Sequence, residues 1–394
     1  IEPTKLFYLS VETPVFNGIG MEELLKLCKK AVGKEEENDG FYVFFDEVQY
    51  LKDWEIHLKS LVDSYHNIKF VVSGSAAAAL KLKSNESGAG RFTDFTLPPL
   101  TFHEYIHLRN LDRLIQPVNK TWNSSSFVIY RTVNIEELNR HFINYINFGG
   151  YPEVSLSKEI QSNPSRYIKS DIIDKVLLRD LPSLYGIQDV QELNSLFTTI
   201  AFNSGNEFSY DSLTSSSGVS KSTIKKYIYY LEAAFLIKIV NRIDISGKKF
   251  KRANFFKIYL TNPSLRSALF SPIGSHSELI GNMIETAIFS QWFHRFWFTP
   301  FYSRWKTGEV DIVGLSNSKL KPAWAVEIKW SNRFFEKPHE LKSLSSFLQK
   351  NKLNKAVVTT IDAIGEKEYK GLTFDYIPAS LYSYTVGRRT LQKE

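Results

Sequence analysis

The 394 residues are enough for two to three domains, at about 100–200 residues per domain. Their 43% hydrophobic and 23% charged content excludes a disordered or fibrous protein. The sequence has no apolar run of the roughly 18–20 residues that a membrane span needs, and nothing in it has the pattern of a signal peptide. The single cysteine, Cys28, excludes an intrachain disulfide, and the net charge of +7 is compatible with an anionic partner. We therefore expect a soluble multidomain protein of the cytoplasm.

Apolar strands alternate with helices in the first hundred residues. The hydrophobic pattern predicts strands over 5–10, 41–45 and 69–72, with helices over 21–31 and 51–65. Continuous apolar strands separated by helices are typical of a parallel sheet that is covered on both faces. Because the first strand begins almost at the first residue, we expect a further segment of this fold to precede it.

The middle of the chain is predicted to be mostly helical after Pro98-Pro99, with a polar loop around residues 119–126. Three helical stretches are predicted between residues 189 and 241, and a glycine-containing turn at 215–220 joins the last two. An apolar strand at 236–240 follows. Helix, short turn, helix and strand form the arrangement of a winged helix-turn-helix.

The last third of the chain returns to an α/β pattern. Its predicted elements are, in order, a helix over 279–296, strands near 309–315 and 323–329, a helix over 340–348 and a strand over 356–360.

A pair of carboxylates follows the second predicted strand. Asp46 and Glu47 end the stretch FFDE and therefore lie at the carboxyl edge of a parallel sheet, where ligands bind in open α/β folds. In phosphate-cleaving sites such an Asp holds magnesium and the Glu polarises the attacking water. Ser73 or Ser75, after the next strand, would sense the γ-phosphate, and Arg91 would neutralise phosphate charge. The alternatives are a strand followed by a helix N-terminus, and a solvated surface arginine.

The sequence contains no glycine-rich G-x-x-x-x-G-K-[ST] stretch, whose backbone amides cradle phosphates at a helix N-terminus. Gly33-Lys34 is a poor substitute, because the three glutamates that follow would repel phosphate. In P-loop folds the missing unit would lie upstream of the first predicted strand.

A second set of carboxylates lies in the last third. Asp311 is followed by Glu327-x-Lys329, and the period of two along a strand places Glu327 and Lys329 on one face. A strand pair would bring Asp311 alongside, so that magnesium or manganese could bind between the two carboxylates. This is the D…E-x-K pattern of PD-(D/E)xK nucleases, in which a preceding helix adds another acid; Glu285 and Glu278 are the candidates.

Basic residues cluster on the second helix of the predicted winged helix and on the segment after it. Clusters of this kind contact nucleic-acid phosphates. The alternative is that the winged helix serves for packing or dimerisation. The candidate contacts are Lys221, Lys225, Lys226, Lys249, Lys251 and Arg252.

Several motifs together resemble one family, the prokaryotic AAA-type predicted ATPases whose C-terminal part is domain of unknown function 4143. The motifs are, in chain order, FFDEVQYLKDWE, VVSGSA, GRFTDFTLPPLTFHEY, FGGYPEV, GVSKSTIKKYIYYLEAAFLI, KIYLTNPSLRSAL, GNMIETAIF and EVDIV…AVEIKW. The resemblance implies a P-loop ATPase core, a winged helix and a restriction-endonuclease-like C-terminal domain. This sequence departs from the family pattern because it lacks the Walker A segment.

The resemblance also implies roles for the residues that match its motifs. Asp46 and Glu47 match the Walker B carboxylates, Ser73 or Ser75 the sensor and Arg91 the arginine of a G-R element. The nuclease-like set is matched by Glu285, Asp311, Glu327 and Lys329.

We therefore expect an α/β multidomain protein that binds ATP and Mg²⁺, associates with DNA and forms homo-oligomers. The predicted domains are an incomplete P-loop ATPase core (1–110), a helical lid or linker (111–188), a winged helix (189–250) and a nuclease-like domain (251–394). In the full family pattern the chain would be an ATPase, and the last domain would be a metal-dependent nuclease. The alternative is a non-catalytic interaction or regulatory module that uses the winged helix and a degenerate nuclease fold.

Overall fold

The chain folds into two compact units. The computed structural model describes residues 1–16, 18–74, 91–122, 125–249, 254–294, 298–316, 318 and 320–391. Residues 1–97 and 176–188 form the N-terminal unit, and residues 98–175 and 189–394 form the C-terminal unit. The segment 176–188, predicted as part of a helical linker, thus belongs to the N-terminal unit.

The strands and helices of the described residues have the following bounds. The strands are β1 Leu6–Ser10, β2 Tyr42–Asp46, β3 Lys69–Val72, β4 Ile115–Trp122, β5 Ser125–Thr132, β6 Glu207–Ser209, β7 Ile237–Ile243, β8 Phe255–Leu260, β9 Phe301–Trp305, β10 Gly308–Leu315, β11 Pro322–Glu327, β12 Lys355–Thr360, β13 Gly365–Tyr369 and β14 Leu372–Pro378. The helices are α1 Met21–Ala31, α2 Trp54–Ser64, α3 Phe102–Leu108, α4 Ile135–Phe148, α5 Pro152–Leu156, α6 Lys158–Ser162, α7 Ser165–Asp180 (of the wider π type), α8 Leu181–Tyr185, α9 Val190–Phe202, α10 Tyr210–Ser217, α11 Lys221–Ala233, α12 Ser264–Leu269, α13 Ile280–Trp292, α14 Arg333–Glu336, α15 Lys342–Asn351 and α16 Ala379–Leu391. Short 3₁₀ turns lie at Pro3–Lys5, Pro14–Phe16, Val48–Tyr50, Asp112–Leu114 and Pro338–Glu340.

The N-terminal unit contains a parallel sheet with the order β1-β2-β3, as the alternating pattern predicts. One face of the sheet is buried under α1 and α2, and its core includes Phe7, Val43 and Phe45. On the other face, Leu6 and Tyr8 are 43% and 69% exposed. Among the described residues of this unit, the sheet is therefore packed on one face and exposed on the other, so the prediction that both of its faces are covered was wrong.

The C-terminal unit is built on one mixed sheet with the order β13-β14-β12-β11-β10-β9-β7-β8-β6. Strands β9, β10 and β11 are antiparallel neighbours, whereas β11, β12 and β14 run parallel. Helix α15 packs on β10 and β11 and contributes to a core that includes Val310, Leu344 and Phe347. The α/β pattern predicted for the last third is confirmed in its element types.

Helices α9, α10 and α11 adjoin one end of this sheet. Strand β8 pairs with both β6 and β7 in antiparallel fashion, and β7 pairs with β9 in parallel. The regions predicted as the domains 189–250 and 251–394 thus share a single sheet and a single compact unit. Of the predicted boundaries, the one at 189 coincides with the passage of the chain from the N-terminal to the C-terminal unit, whereas those at 111 and 251 lie inside the C-terminal unit.

A β-hairpin stands where the sequence predicts a helical region and a polar loop. Strands β4 and β5 pair from Ile115 with Thr132 to Trp122 with Ser125, so the prediction of a mostly helical region with a polar loop was wrong over 115–132. The hairpin packs through Tyr130, whose ring lies edge-on to Tyr384 at 5.5 Å between centroids. Because Tyr130 and Tyr384 are far apart in the sequence, no local pattern could indicate this contact.

Helix ends in this region follow ordinary capping chemistry. The Thr101 hydroxyl accepts from the Glu104 backbone N–H, and the Glu104 carboxylate accepts from that of Thr101, which fixes the start of α3. Among the described helices, none combines the length and the apolar character needed to cross a bilayer.

Candidate functional site

The carboxyl end of β2 carries the predicted pair Asp46 and Glu47. Strand β2 lies between β1 and β3, and Asp46 pairs with Ser10 of β1. Two hydroxyl groups donate to the Asp46 carboxylate: that of Tyr8, 2.5 Å from Oδ2, and that of Ser73, to Oδ1. The structure thus brings Asp46 and Ser73 together, as expected for strands that end at one edge of a parallel sheet.

Glu47 has a left-handed backbone, with φ of 55°. This conformation costs a non-glycine residue on the order of 1–3 kcal/mol, and such strain clusters at functional sites. The turn is held by the Gln49 side-chain amide, which donates to the Glu47 carboxylate, and by the Val48 N–H, which donates to the Ser73 carbonyl at 3.1 Å. The sheet edge therefore places a second carboxylate directly after Asp46.

The remaining predicted residues of this site have different outcomes. Arg91 forms an ion pair with Asp63, at 2.7 Å between Nε and Oδ1. Asp63 is near the end of α2, which runs back from the Asp46 edge toward the start of β3, so Arg91 is not placed with Asp46. The predicted role of Arg91 in neutralising phosphate charge is therefore not supported, and Ser75 lies outside the described residues.

Sequence reasoning missed Tyr8 as a partner of the acidic pair. Its hydrogen bond to Asp46 raises the pKa of the Tyr8 hydroxyl, and the charges of Asp46 and Glu47 add to that effect. The alternation of apolar residues along β1 could have indicated that Tyr8 lies on the open face with Ser10.

The segment 176–188 supplies further unpredicted contacts within the N-terminal unit. The Tyr50 hydroxyl donates to Asp180 at 3.1 Å, and burial together with the Asp180 charge raises the pKa of Tyr50 to about 12. The Arg179 guanidinium lies 4.8 Å from the centre of the Tyr50 ring and binds Glu12 at 2.8 Å. This segment is therefore attached to the turn that follows Glu47.

The C-terminal unit brings together all four residues predicted for the D…E-x-K site. Antiparallel pairing of β10 with β11 puts Asp311 next to Glu327. The Lys329 ammonium lies 2.8 Å from Glu327 Oε1 and 3.7 Å from Asp311 Oδ2. The backbone N–H of Ile328 donates to Asp311 at 2.7 Å, and the Thr359 hydroxyl both accepts from the Lys329 N–H and donates to its carbonyl. Asp311 and Glu327 thus lie on neighbouring strands as predicted, whereas Lys329 lies two residues beyond the end of β11 and not within the strand that was predicted to include it.

Glu285 reaches the same cluster from α13, but its direct partners were not predicted. Its Oε1 accepts from the Lys257 ammonium at 2.9 Å and from the Tyr259 hydroxyl at 2.5 Å. Lys257 also lies 2.5 Å from Glu309 Oε1 and is 4% exposed. Glu278, the other helical candidate, precedes α13 and is exposed.

Burial and mutual repulsion govern the protonation of this cluster. Burial, and then the charge of Asp311, raise the pKa of Glu327 to about 8, although Lys329 acts in the opposite direction. Burial also raises the pKa of Glu285, with a further rise from Asp311 and a lowering by Lys257. For Lys257 and Lys329, burial would lower the pKa, but the surrounding carboxylates outweigh it and raise both values.

The three carboxylates predicted to bind a metal are near one another without forming a metal cage. Within the described ranges, no set of three or more His, Cys, Asp or Glu side chains is arranged to hold a metal ion. Glu327 is 8% exposed, and its Oε2 lacks a hydrogen-bond partner among the described residues. The arrangement is that of an ionic network in which Glu327 Oε2 is an open, buried acceptor.

Lys257 could have been found from the sequence. It lies in the stretch FFKIYL, where Phe256 and Ile258 are buried on either side of it. A charged residue inside a buried strand requires a partner of opposite charge, because an isolated buried charge is costly. The sequence thus indicated a buried ion pair, although not that Glu285 and Glu309 would form it.

The basic residues of α11 lie on one exposed face of that helix. Ser222, Lys225, Lys226 and Tyr229 are exposed at helical spacing, whereas Ile224 and the residues around it on the opposite face are buried. This face carries two of the predicted nucleic-acid contacts side by side.

The other predicted nucleic-acid contacts have the following surroundings. Lys221 binds Asp211 at 2.6 Å, and Lys249, which follows β7, lies 4.6 Å from the centre of the Phe301 ring. Lys251 and Arg252 lie outside the described residues.

Two family models match parts of the chain. Residues 1–106 match an AAA domain, and residues 139–276 match a domain of unknown function, DUF8612. The first match indicates a nucleotide-binding, ATPase-like domain at the N-terminal end of the chain, where the parallel sheet and the Asp46 edge lie. The second differs from domain 4143, to which the motifs were compared, and that finer resemblance remains a prediction.

Curated relatives are similar along most of the chain and are themselves uncharacterized. The chain is 25% identical over 371 residues to the uncharacterized protein MJ1544 of Methanocaldococcus jannaschii, covering 91% of this chain and 77% of the relative. It is 24% identical over 383 residues to an uncharacterized protein of Haemophilus influenzae, covering 96% and 86%. A second protein of M. jannaschii, MJ1637, is 24% identical over 296 residues, covering 73% and 61%. The relatives are thus archaeal and bacterial.

Proposed function

We propose that this protein is a DNA-associated ATPase, in which an AAA-type unit binds ATP with Mg²⁺ and the C-terminal unit contacts nucleic acid. The ATPase part of the proposal rests on the Asp46–Glu47 pair at the carboxyl edge of β2, where the Ser73 hydroxyl donates to Asp46. Carboxylate and hydroxyl oxygens are the hard ligands that Mg²⁺ prefers. The donor set at this edge therefore fits the group that the AAA match implies.

Each residue of this edge has a proposed role. Asp46 would hold the magnesium ion through water, and the ion would offset charge on the phosphates. Glu47 would orient and polarise the attacking water, for which its strained turn fixes the position of the carboxylate. Ser73 would couple the occupancy of the phosphate site to β3, since it is hydrogen-bonded to Asp46.

The proposed DNA contact uses a winged helix-turn-helix formed by α9, α10, α11 and strands β6 to β8. The order of these elements and the exposed lysines of α11 support this assignment. Phosphate contacts by Lys225 and Lys226 would give affinity without base specificity. Self-association of the chain is part of the same proposal.

The C-terminal part of the large sheet is proposed to be nuclease-like in fold. Support comes from the succession α13, β9, β10, β11, α15 and β12, and from the meeting of Asp311 on β10 with Glu327 at the end of β11 and with Lys329 just beyond it. The fold proposal does not require cleavage.

A second candidate function is a non-catalytic interaction module, which the lysine contacts of the acidic cluster favour. The two candidates differ in their response to salt: DNA binding through phosphates weakens as salt rises, whereas a protein interface that buries apolar surface does not.

The test of the ATPase proposal is the Glu47→Gln variant. The 394 residues contain no glycine-rich phosphate loop, so we expect this chain by itself to bind ATP weakly and hydrolyse it negligibly. In a longer form that carries such a loop, we expect hydrolysis, and Glu47→Gln should abolish turnover while retaining ATP binding. Phosphate release and binding of a fluorescent ATP analogue measure the two effects.

Glu23→Gln, which changes an exposed carboxylate of α1, is the matched control and should leave turnover unchanged. Vigorous hydrolysis by the 394-residue chain would contradict the expectation that hydrolysis needs a glycine-rich loop, and full turnover in Glu47→Gln would contradict the proposed ATPase site.

A further inference from the structure

Lys257 is the most buried cation of the acidic cluster. Its side chain enters from β8 and bridges Glu285 of α13 and Glu309 of β10, at 2.9 and 2.5 Å. The aromatic ring of Tyr302 lies beneath it, 5.4 Å from the ammonium. Lys257 therefore links β8 to α13 and β10 through ion pairs.

The ligands expected for a nuclease metal are already bound to protein donors. Glu285 accepts from Lys257 and Tyr259, while Glu327 accepts from Lys329. Asp311 accepts from a backbone N–H and lies close to Lys329. The two lysines thus bridge two carboxylates each, and Arg304 adds a further contact to Glu309 at 3.4 Å.

This donor set does not fit the divalent cation that a nuclease-like fold implies. A cation near Glu285 and Asp311 would have to compete with the Lys257 ammonium at Glu285 and with the Lys329 ammonium at Asp311, and the positive charges would repel. The described carboxylates form no set of three able to hold a metal. Glu327 Oε2, a buried oxygen without a hydrogen-bond partner among the described residues, is a single ligand atom, whereas a nuclease metal is held by at least two carboxylates.

We propose that the Lys257 ammonium takes the place of a metal ion in this cluster, so that the nuclease-like domain has an ionic core that forms without a metal. The inference rests on the proposed nuclease-like fold and goes beyond it, since it assigns the domain to binding without metal-dependent cleavage. Its first consequence is structural: removing the ammonium leaves Glu285 without its cationic partner and Glu309 with Arg304 alone, and the loss of one partner from such an ionic cluster is destabilising.

The test is a titration of the full chain with Mn²⁺, followed by electron paramagnetic resonance of the free ion. Wild type and Asp311→Asn are expected to bind Mn²⁺ equally weakly. Lys257→Met is expected to bind it about 10- to 100-fold more tightly, the range by which groups around a metal site alter affinity. Lys248→Met, an exposed lysine on the turn between β7 and β8, is the matched control and should match wild type.

Thermal unfolding keeps the test decisive if Lys257→Met folds poorly. We expect that variant to melt below Lys248→Met, to be restored by Mn²⁺, and to be restored without metal by Glu285→Gln in the same chain. Tight Mn²⁺ binding by wild type that Asp311→Asn removes would overturn the proposal. So would a Lys257→Met variant whose melting is indifferent both to Mn²⁺ and to Glu285→Gln. Neither measurement uses ATP or DNA, so its failure is distinguishable from failure of the proposed function.

Discussion

At the scale of single residues, His103 reports how burial changes protonation in the C-terminal unit. It lies on α3, with its ring edge-on to Tyr384 at 5.0 Å, and its Nδ1 has no hydrogen-bond partner among the described residues. Burial, and then the charge of Arg388, lower the pKa of His103 to about 4, although Glu104 and Asp112 act in the opposite direction.

The lowered pKa predicts a loss of stability in mild acid. An unfolded histidine takes up its proton near pH 6.5, whereas His103 in the folded chain does so only near pH 4. Its contribution is therefore fully present above pH 6.5 and falls as the pH drops from 6.5 toward 4, by at most about 1.4 kcal/mol per pH unit. Urea unfolding of wild type and His103→Asn at pH 7, 6 and 5 measures the difference.

We expect His103→Asn to lose less stability than wild type over this range. His339→Asn, at an exposed histidine, should keep the wild-type dependence on pH. Parallel curves for wild type and His103→Asn would show that this ring does not titrate as the structure indicates.

At the scale of secondary-structure elements, helix α11 carries the prediction about DNA. If Lys225, Lys226 and Lys249 each contact a phosphate, the log–log slope of affinity against salt should fall by about 0.9 per residue removed. The triple glutamine variant should therefore lose about 2.7 units of slope on duplex DNA, measured by fluorescence anisotropy over a salt series.

The control for α11 replaces three exposed lysines elsewhere: Lys30, Lys52 and Lys350. It should keep the slope of wild type. If the α11 variant kept it too, the helix would have a packing role and the interaction module would become the better candidate.

The elements differ in how well their sequences predict them. Strands β2, β10 and β12 are apolar runs with clear bounds, so local pattern places them, and Asp46, Asp311 and Glu327 follow at their predicted positions. Hairpin β4–β5 mixes polar and apolar residues, and it packs Tyr130 against α16, a contact between distant parts of the chain that a local pattern does not contain. Lys257 shows the same limit, because its burial is readable from β8 but its partners come from other elements.

At the scale of the whole molecule, the order of strands in the large sheet was beyond sequence reasoning. Strand β7 pairs with β9 through Asn241 and Phe301, and the residues between them form β8, α12 and α13. No local sequence pattern in either strand indicates that the other is its neighbour in the sheet. For that reason, the prediction of separate domains over 189–250 and 251–394 did not include the sheet that they share.

The shared sheet predicts that residues 251–394 do not fold alone. Without β7, strand β9 becomes an unpaired edge, and Phe301 and Val310 lose the buried side chain of Ile243. We expect this fragment to aggregate or to lack cooperative thermal unfolding by circular dichroism. The fragment 98–394, which keeps the whole sheet, should unfold cooperatively, and cooperative unfolding of 251–394 would contradict the shared core.

The discontinuity of the N-terminal unit has a consequence for biosynthesis. Tyr50 is hydrogen-bonded to Asp180, 130 positions further along the chain, and Glu12 is bound by Arg179, 167 positions further along. At about 5–20 residues per second, the ribosome needs on the order of ten seconds to extend the chain from residue 97 to residue 188. During that interval residues 98–175 of the C-terminal unit are translated ahead of the last segment of the N-terminal unit, so the N-terminal unit cannot be completed until part of the C-terminal unit has been made.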